Sequence, residues 1–262
     1  MSILQAVILG LVQGITEFLP VSSSGHLVIG QALLGVDPPG VTFEVVLHVA
    51  TLCAVLWVYR ARIGEIVHGM FTGDRGAWSY VGLIILASIP AGIVGVLGRP
   101  LLERAFSSPS LAAAMLLATG VLVWTLKSTG RAAGRERPRP GDSVWIGCAQ
   151  AVAILPGISR SGATVAIGAW LGVDVVRVAE FSFLMSVPAI TGAGLLQIGE
   201  LGTGPGLGAA TLAVGFACAA VSGIVAISVF VKTLRNGTFH RFAYYCWTVG
   251  AVYLMATAVS SW

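Results

Sequence analysis

Charged residues are scarce in this sequence. Asp, Glu, Lys and Arg together make up 10% of its 262 residues, whereas hydrophobic residues make up 56% and the mean hydropathy is +0.90. Soluble domains carry roughly a quarter charged residues, so the composition excludes a soluble globular protein. Apolar runs of about 17 to 25 residues, long enough to cross a bilayer as helices, recur along the whole chain. We predict a polytopic membrane protein with no separate soluble domain.

Basic residues are missing from the start of the chain, since no Lys or Arg precedes Arg60. The N-terminus therefore lacks the basic region of a secretory signal peptide, and we expect it to remain in the mature protein. The net charge of +4 comes mainly from connections such as Lys127 to Arg139. Basic connections are typical of the cytoplasmic loops of membrane proteins, so we do not expect nucleic-acid binding.

Cysteine is also rare. Its four copies stand singly in apolar stretches without a C-x-x-C spacing, at Cys53, Cys148, Cys218 and Cys246. This pattern predicts neither a disulfide framework nor a cysteine metal site. We expect all four to be small buried hydrophobic residues.

The chain contains an internal repeat. A shift of 137 residues aligns Gln13 to Asp37 with Gln150 to Asp174, and ten of the twenty-five positions are then identical. The identities include Ser22 with Ser159 and the closing L-G-V-D. Internal repeats are frequent in transporter-like membrane folds. We interpret the two segments as parts of two halves that derive from one ancestral unit.

Three candidate membrane spans follow each repeated segment. They lie at about 41–59, 78–98 and 110–126 in the first half, and at about 178–198, 206–231 and 242–262 in the second. With an odd number of crossings per half, the second half enters the membrane from the opposite side if the repeated segment itself does not cross.

Positive charge predicts which connections are cytoplasmic. The basic connections are 60–77, 127–142 and 232–241. Placing all three inside leaves the segment from Arg99 to Arg104 and the turn from Glu200 to Pro205 outside. Residues 1–40 then start and end outside, residues 143–177 start and end inside, and both chain termini lie outside. Each of these two segments is therefore predicted to be a re-entrant helical hairpin.

Each hairpin has helix-breaking residues where it should turn, Pro20 in the first and Pro156 with Gly157 in the second. Hairpins that enter from opposite faces meet near the midplane, where non-helical backbone must be buried or line a wet cavity. The predicted fold is an all-α polytopic membrane protein with an inverted-topology repeat, each half a re-entrant hairpin plus three transmembrane helices. The whole chain is predicted to form a single integral membrane domain, 1–262, with halves at about 1–126 and 143–262 and the basic loop 127–142 between them.

Arg160 lies in the second hairpin between two serines. An arginine near the bilayer centre costs at least ~2.5 kcal/mol on insertion scales and needs a partner or a purpose. Its fork of donors suits phosphate oxygens. We expect it at the start of the hairpin's second helix, where free N–H groups bind anions. The alternative is a structural ion pair with Glu17 or Glu44.

Gln13 and Glu17 are four residues apart and share one face of the first hairpin helix. This pair of oxygen ligands could hold Mg²⁺ or Ca²⁺, which also bind phosphate oxygens, with water and substrate completing the shell. Alternatively, Glu17 is a neutral buried acid that holds a helix end.

The run Ser22–Ser24 and His26 place hydroxyls and an imidazole within one helical turn. Together they could supply a nucleophile and a base, or a proton for the leaving group, with His26 the sharper candidate. Serines that precede an apolar helix also cap it, so each serine has a structural alternative. Glu44 and His48, four apart in the first span, either support this site or form a structural pair.

An anion clamp, a cation site and a nucleophile–base pair together indicate phosphoryl transfer or phosphate-ester hydrolysis, and the membrane setting indicates a lipid substrate. Two other classes of protein fit less well. A carrier or flippase for a phosphorylated lipid would share inverted repeats and broken hairpins but needs no nucleophile. An intramembrane serine hydrolase places its serine and histidine on different helices and would leave Arg160 without a role.

Two segments, QGITEFLPVSSSGH and LPGISRSGAT, resemble the signature motifs of the undecaprenyl-diphosphatase family, also called the bacitracin-resistance protein family. The first contains (E/Q)-x-x-x-E as Gln13 to Glu17, followed by P-V-S-S-S-G-H. The second contains P-G-x-S-R-S-G-x-T as Pro156 to Thr164. The resemblance extends through FEVVLHVATL and EFSFLMSVPA to essentially the whole chain. Gln stands at the first acidic position, which leaves one carboxylate for a metal.

The resemblance implies an integral plasma-membrane enzyme that hydrolyses undecaprenyl diphosphate to undecaprenyl phosphate and inorganic phosphate. This reaction recycles the lipid carrier for cell-wall peptidoglycan synthesis and confers bacitracin resistance on overproduction. The resemblance also implies a divalent cation as cofactor and an active site open to the outer face. Expected partners are a polyprenyl diphosphate lipid, membrane lipids and, as a candidate, a second copy of the chain in a homodimer.

The resemblance also assigns roles to individual residues. Those that match catalytic positions are Glu17, Ser23, His26 and Arg160. Those expected to contact the diphosphate are Ser22, Ser24, Gly157, Ser159, Arg160, Ser161, Gly162 and Thr164. Those expected to hold the metal are Gln13 and Glu17. In the working mechanism, Ser23 or a water attacks the terminal phosphorus while His26 handles the proton.

Overall fold

The structure is a computed structural model, and it describes residues 1–35, 42–127, 134–197 and 207–260. These ranges contain no β-strand. They form twelve α-helices: α1 (Ile3–Phe18), α2 (Ser23–Leu34), α3 (Thr42–Val58), α4 (Arg60–Phe71), α5 (Arg75–Leu97), α6 (Arg99–Phe106), α7 (Pro109–Trp124), α8 (Pro140–Val152), α9 (Arg160–Trp170), α10 (Val175–Gln197), α11 (Ala209–Arg235) and α12 (Phe242–Ser260).

Five of the described helices are long and apolar enough to cross a membrane, namely α5, α7 with the short turn that follows it, α10, α11 and α12. The helices α3 and α4 pass the same test only as a pair, and the chain bends by 74° between them. Counted as one broken span, they make a sixth. The prediction of an all-helical polytopic membrane protein is confirmed.

Both predicted hairpins turn where the sequence places their helix breakers. The helix α1 ends at Phe18 and α2 begins at Ser23, so Pro20 lies between them. The helix α8 ends at Val152 and α9 begins at Arg160, which places Pro156 and Gly157 in the second turn and Arg160 at the first position of a helix. The closing Val36–Asp37 of the first repeated segment, residues 128–133 of the basic loop and the turn from Glu200 to Pro205 lie outside the described residues.

The segment Arg60–Phe71 is a helix, whereas the sequence analysis treated 60–77 as a connection. The charges that suggested a loop are paired: Arg62 contacts Glu65 at 3.0 Å and Glu180 of α10 at 2.8 Å. The apolar side chains Ile63 and Ile66 pack against the core. A helix with one apolar face and paired charges on the other is stable at a membrane surface, so the predicted connection can contain a helix.

The cysteines do not share one environment. Only Cys246 is buried, whereas Cys53 is exposed and Cys148 and Cys218 are partly exposed. The expectation of four buried cysteines was wrong for Cys53, Cys148 and Cys218, because apolar surface that faces lipid need not be covered by protein.

Helices of one half pack mainly against helices of the other half. The first hairpin helix of each half packs against the second span of the other half, α1 on α11 and α8 on α5. The first spans follow the same rule, α3 on α11 and α10 on α5, and the last spans α7 and α12 pack on each other. Glycines permit these contacts: a Cβ on Gly10 would lie 2.6 Å from the carbonyl oxygen of Gly215, and a Cβ on Gly147, its equivalent in the repeat, would lie 3.0 Å from Cα of Ala87. Small residues at helix contacts are the usual means of close approach in membranes.

Candidate active site

The buried carboxylate of Glu17, in the last turn of α1, receives donors from three helices. Gln13, one turn earlier, donates Nε2 to its Oε2 at 3.1 Å. The hydroxyl of Ser23, at the start of α2, donates to the same oxygen, and Nη2 of Arg160, at the start of α9, donates to Oε1 at 2.5 Å. One carboxylate therefore joins both hairpins.

The ion pair between Arg160 and Glu17 is the structural alternative that the sequence left open, and it is present. It does not use the whole guanidinium, because Nη1 of Arg160 is buried without a hydrogen-bond partner in the described part of the chain. The same is true of Oε1 of Gln13. A buried unpaired polar atom costs about 1 to 3 kcal/mol. A free donor and a free acceptor thus lie beside the same carboxylate, available to a ligand that carries both anionic oxygens and a cation.

The N-termini of α2 and α9 converge on this point. Ser22 caps α2 and Ser159 caps α9, each accepting a hydrogen bond from the backbone N–H three residues further on. The first residues of the two helices, Ser23 and Arg160, both contact Glu17. Helix N-termini carry partial positive charge and unpaired N–H groups, which together favour anions. Two such ends beside one arginine are suited to a highly charged anion.

The remaining hydroxyls of the two motifs hold the turns together. Ser22 and Ser24 are paired at 3.3 Å between their Oγ atoms, and their repeat equivalents Ser159 and Ser161 at 3.2 Å. Ser22 also accepts the N–H of Gly157 at 3.1 Å, which ties one turn to the other. The capping alternative for Ser22 and Ser159 is thus part of the structure, and Ser23 is the hydroxyl of its run that reaches the carboxylate.

Glycines allow the two turns to touch. Gly157 has a φ of +96°, which residues with a side chain rarely adopt. A Cβ on Gly25 would lie 2.8 Å from the Cα of Gly157, and a Cβ on Gly162 would lie 3.3 Å from Cβ of Pro20. These positions serve the close approach of the hairpins.

Thr119 of α7 belongs to the site, although the sequence analysis did not single it out. Its hydroxyl donates to the carbonyl of Gly157 at 2.7 Å and accepts the N–H of Ser159 at 3.0 Å, so it fixes the second turn. A buried threonine in an apolar span was the available signal. Thr164 lies further away, with its hydroxyl against Ser182 at 2.7 Å and the carbonyl of Arg160 at 2.8 Å.

His26 does not contact Ser23. Its Nδ1 lies 2.8 Å from the carbonyl oxygen of Ser22, and its Nε2 lies 2.9 Å from the hydroxyl of Tyr245 in α12. The sequence predicts that His26 handles the proton when Ser23 or a water attacks; in the structure the group in contact with the Ser23 hydroxyl is Glu17. Tyr245 went unnoticed in the sequence because aromatic residues near the ends of spans are common in any membrane protein.

Glu44 and His48 pair elsewhere. Gln31 of α2 donates Nε2 to Oε1 of Glu44 at 3.0 Å, and Nδ1 of His48 lies 2.8 Å from the carbonyl oxygen of Glu44. The contact of Gln31 with Glu44 ties α2 to α3, whereas the contact of His48 with the Glu44 carbonyl stays within α3.

The described residues contain no cluster of three or more His, Cys, Asp or Glu side chains that could hold a metal ion by themselves. The two residues predicted as metal ligands, Gln13 and Glu17, offer one amide oxygen and one carboxylate. This set is small, but Mg²⁺ sites often use one or two protein oxygens and take the others from substrate phosphates and water.

Sequence comparisons agree with this geometry. A family model described as bacitracin resistance protein BacA matches residues 6–252. An undecaprenyl-diphosphatase of Desulfatibacillum aliphaticivorans is 40% identical over 275 aligned positions, which cover 98% of this chain and 99% of the relative. Another from Desulfosudis oleivorans is 42% identical, covering 96% and 97%, and one from Salinibacter ruber is 42% identical, covering 95% and 97%. The family match runs from within α1 to within α12, and the chain belongs to the bacitracin resistance protein BacA family.

Proposed function

We propose that this protein hydrolyses undecaprenyl diphosphate to undecaprenyl phosphate and inorganic phosphate, and so recycles the lipid carrier of cell-wall synthesis and contributes to bacitracin resistance. The observation that carries the proposal is the meeting of Ser23 and Arg160, one from each hairpin, on the carboxylate of Glu17. Relatives of nearly equal length are named for this activity. A nucleophile, a base and an anion-binding group within one contact network fit phosphoryl transfer better than transport alone.

The proposed reaction begins with Ser23. Its oxygen attacks the terminal phosphorus while Glu17, which already accepts its hydrogen bond, takes the proton. The bond between the terminal phosphorus and the bridging oxygen breaks, and undecaprenyl phosphate leaves. After Glu17 has released that proton to solvent, water attacks the phosphoserine, Glu17 takes a proton from the water and returns it to the departing oxygen of Ser23, and inorganic phosphate is released. His26, one turn along α2, is proposed to exchange a proton with the leaving phosphate.

Arg160 is proposed to hold the substrate. Its unpaired Nη1 provides a donor to a phosphate oxygen while Nη2 stays on Glu17. The N–H groups at the starts of α2 and α9 add further donors. Donors aimed at the charge that develops in a transition state are typically worth 10²- to 10³-fold each in rate, on the order of 3 to 4 kcal/mol.

A divalent cation, Mg²⁺ or Ca²⁺, is proposed as the cofactor. Gln13 and Glu17 would hold it through the unpaired Oε1 of Gln13 and the carboxylate. When bound, the cation would neutralise charge on the diphosphate oxygens. Because only two protein groups are offered, we expect weak binding in the absence of substrate.

We infer that the fold is an inverted repeat, with a hairpin entering from each side of the membrane and both termini outside the plasma membrane. The exchanged packing of α1 on α11 and α8 on α5 supports a two-fold relation between the halves. The matched hydroxyl pairs of the two turns support it further. A homodimer stays a prediction.

A lipid substrate requires apolar space next to the polar site. A cavity of about 370 Å³ lies between α1 and α12 and is lined by Ile15, Leu19 and Tyr245, among others. A second cavity of about 650 Å³ shares Ile15 and Leu19 and continues along α11. We propose that the isoprenoid chain of the substrate uses this continuous apolar surface, which reaches the site where Tyr245 contacts His26.

Phosphate release from polyprenyl diphosphate by detergent-purified protein tests the function. We expect release that EDTA abolishes and that added Mg²⁺ or Ca²⁺ restores. A carrier or flippase would move the lipid across proteoliposomes and release no phosphate in detergent. Folded protein that releases no phosphate with either metal would contradict the proposal and favour the carrier.

A further inference from the structure

The last helix reaches the first hairpin at one polar contact. The hydroxyl of Tyr245 lies 2.9 Å from Nε2 of His26, and the two rings are nearly parallel, with planes 9° apart and centroids separated by 5.5 Å. The next residue, Cys246, is buried and directs its Sγ to the carbonyl oxygen of Pro20 at 3.6 Å. Two successive residues of α12 thus fix the helix against the hairpin turn, and Tyr245 is the one that meets a site residue.

The other ring nitrogen of His26 determines which proton the ring carries. Nδ1 lies 2.8 Å from the carbonyl oxygen of Ser22. A carbonyl oxygen only accepts hydrogen bonds, so Nδ1 bears the proton and donates it. In the neutral ring Nε2 then holds a lone pair, and the hydroxyl of Tyr245 donates to it. When the ring is protonated, the same hydroxyl can accept from Nε2 instead.

We propose that Tyr245 is a positioning residue for His26. It holds the imidazole plane with one contact and keeps Nε2 as the atom that exchanges protons, while Ser22 holds Nδ1. Partners on one nitrogen of a histidine commonly set the tautomer and the role of the other. A helix that is 219 residues away in sequence therefore orients the proton-handling group of the first hairpin. The expected effect of Tyr245 on the reaction rate rests on the proposed function. Its expected effect on the orientation and tautomer of the His26 ring does not.

Tyr245→Phe removes the hydroxyl and keeps the ring, and Tyr244→Phe is its matched control. Tyr244 is 55% exposed, against 45% for Tyr245, and packs on Trp124 and Trp247. We expect Tyr245→Phe to lower kcat about 10-fold with KM changed less than about 2-fold, since general acid–base groups contribute 10²- to 10⁴-fold and only their positioning is lost. In a His26→Ala background the same change should have no further effect on kcat, because the group that it positions is absent.

Nitrogen-15 NMR of the imidazoles provides a readout that does not depend on activity. The chain has only four histidines, so His26 can be assigned by comparison with His26→Ala. We expect one neutral tautomer with the proton on Nδ1 in the wild type and in Tyr244→Phe, and altered Nε2 shifts or mixed tautomers in Tyr245→Phe. Unchanged His26 signals in Tyr245→Phe, or equal effects of Tyr245→Phe on kcat with and without His26, would overturn the proposal. If the wild type releases no phosphate, the proposed function fails. The spectra would still show whether Tyr245 orients the ring of His26.

Discussion

Glu17 and Arg160 are buried charges whose cost is offset by each other and by hydrogen bonds. The carboxylate accepts from Gln13, Ser23 and Arg160, so its negative charge is well compensated. The guanidinium uses one terminal nitrogen on Glu17 and keeps the other unpaired. Buried ion pairs rarely add net stability, and an unpaired donor lowers it further. The arrangement is better explained by ligand binding than by folding.

The ion pair between Glu17 and Arg160 is expected to affect the stability of the protein. Glu17→Gln leaves the buried guanidinium of Arg160 without its counter-charge, and breaking a buried pair costs about 3 to 5 kcal/mol. We expect a clear fall in melting temperature in detergent together with loss of phosphate release. The double variant Glu17→Gln with Arg160→Gln should regain part of the melting temperature but no activity. A double variant no more stable than Glu17→Gln would show that the two charges do not depend on each other.

For single residues, the sequence predicts which side chains lie near each other on one helix better than it predicts contacts between helices. Gln13 and Glu17 share a face as their spacing predicts, because helical periodicity is local. The hydroxyl of Ser23 donates to Glu17, across the turn, and not to His26, which is closer in sequence. Tyr245 could not be found, since its contact depends on how α12 packs.

Among the helices, contacts between hairpins and spans depend on small residues. Gly10 of α1 faces the backbone of Gly215 in α11, and a Cβ there would meet its carbonyl oxygen at 2.6 Å. The opposing atom is backbone, so it cannot move aside as a flexible side chain would. The helix α1 is therefore held closely against α11 by a contact that needs no ligand.

Gly10→Ala is expected to destabilise the protein by about 1 to 3 kcal/mol, the usual cost of overpacking, and to lower the melting temperature. Gly82→Ala in α5 is the matched control, because a Cβ there has no neighbour within 4 Å. Thermal unfolding in the same detergent compares the two. Equal melting temperatures for the two variants would contradict the close packing of α1 on α11.

The breaks in the hairpins were predictable, and the helix α4 was not. Proline and glycine at the turns act through backbone geometry, which is local and visible in sequence. The charged residues Arg62 and Glu65 gave no sign of a helix in the sequence, since Arg62 is also paired with Glu180, a residue of α10.

At the scale of the whole molecule, the proposed topology places the two ends of α5 on opposite sides of the membrane. Exposed positions are available on both sides, Thr72 between α4 and α5 and Ser107 between α6 and α7. In a variant lacking the native cysteines, we expect an impermeant maleimide to label Ser107→Cys in intact cells and Thr72→Cys only after lysis. Labelling in the reverse order would invert the topology, and labelling of both in intact cells would contradict it.

Five of the six predicted spans followed from hydropathy, because bilayer thickness sets the length of a spanning helix, whereas α3 passes the same test only together with α4. Hydropathy does not predict that the helices of each half pack against those of the other half. That packing depends on contacts between helices distant in sequence, such as α1 with α11. The two-fold relation that we infer from it explains why the nucleophile candidate and the anion-binding group come from different halves.

The central claim is that both hairpins form one phosphatase site, and Arg160→Lys tests it most directly. Lysine keeps the positive charge beside Glu17 but loses the second nitrogen that is proposed to hold phosphate. In phosphate release from polyprenyl diphosphate, with Arg75→Lys at an exposed helix start as control, the account predicts a loss of at least about 10²-fold for Arg160→Lys with an unchanged melting temperature. A rate within a few-fold of the wild type would contradict it, because Arg160 would then serve only as the counter-charge of Glu17.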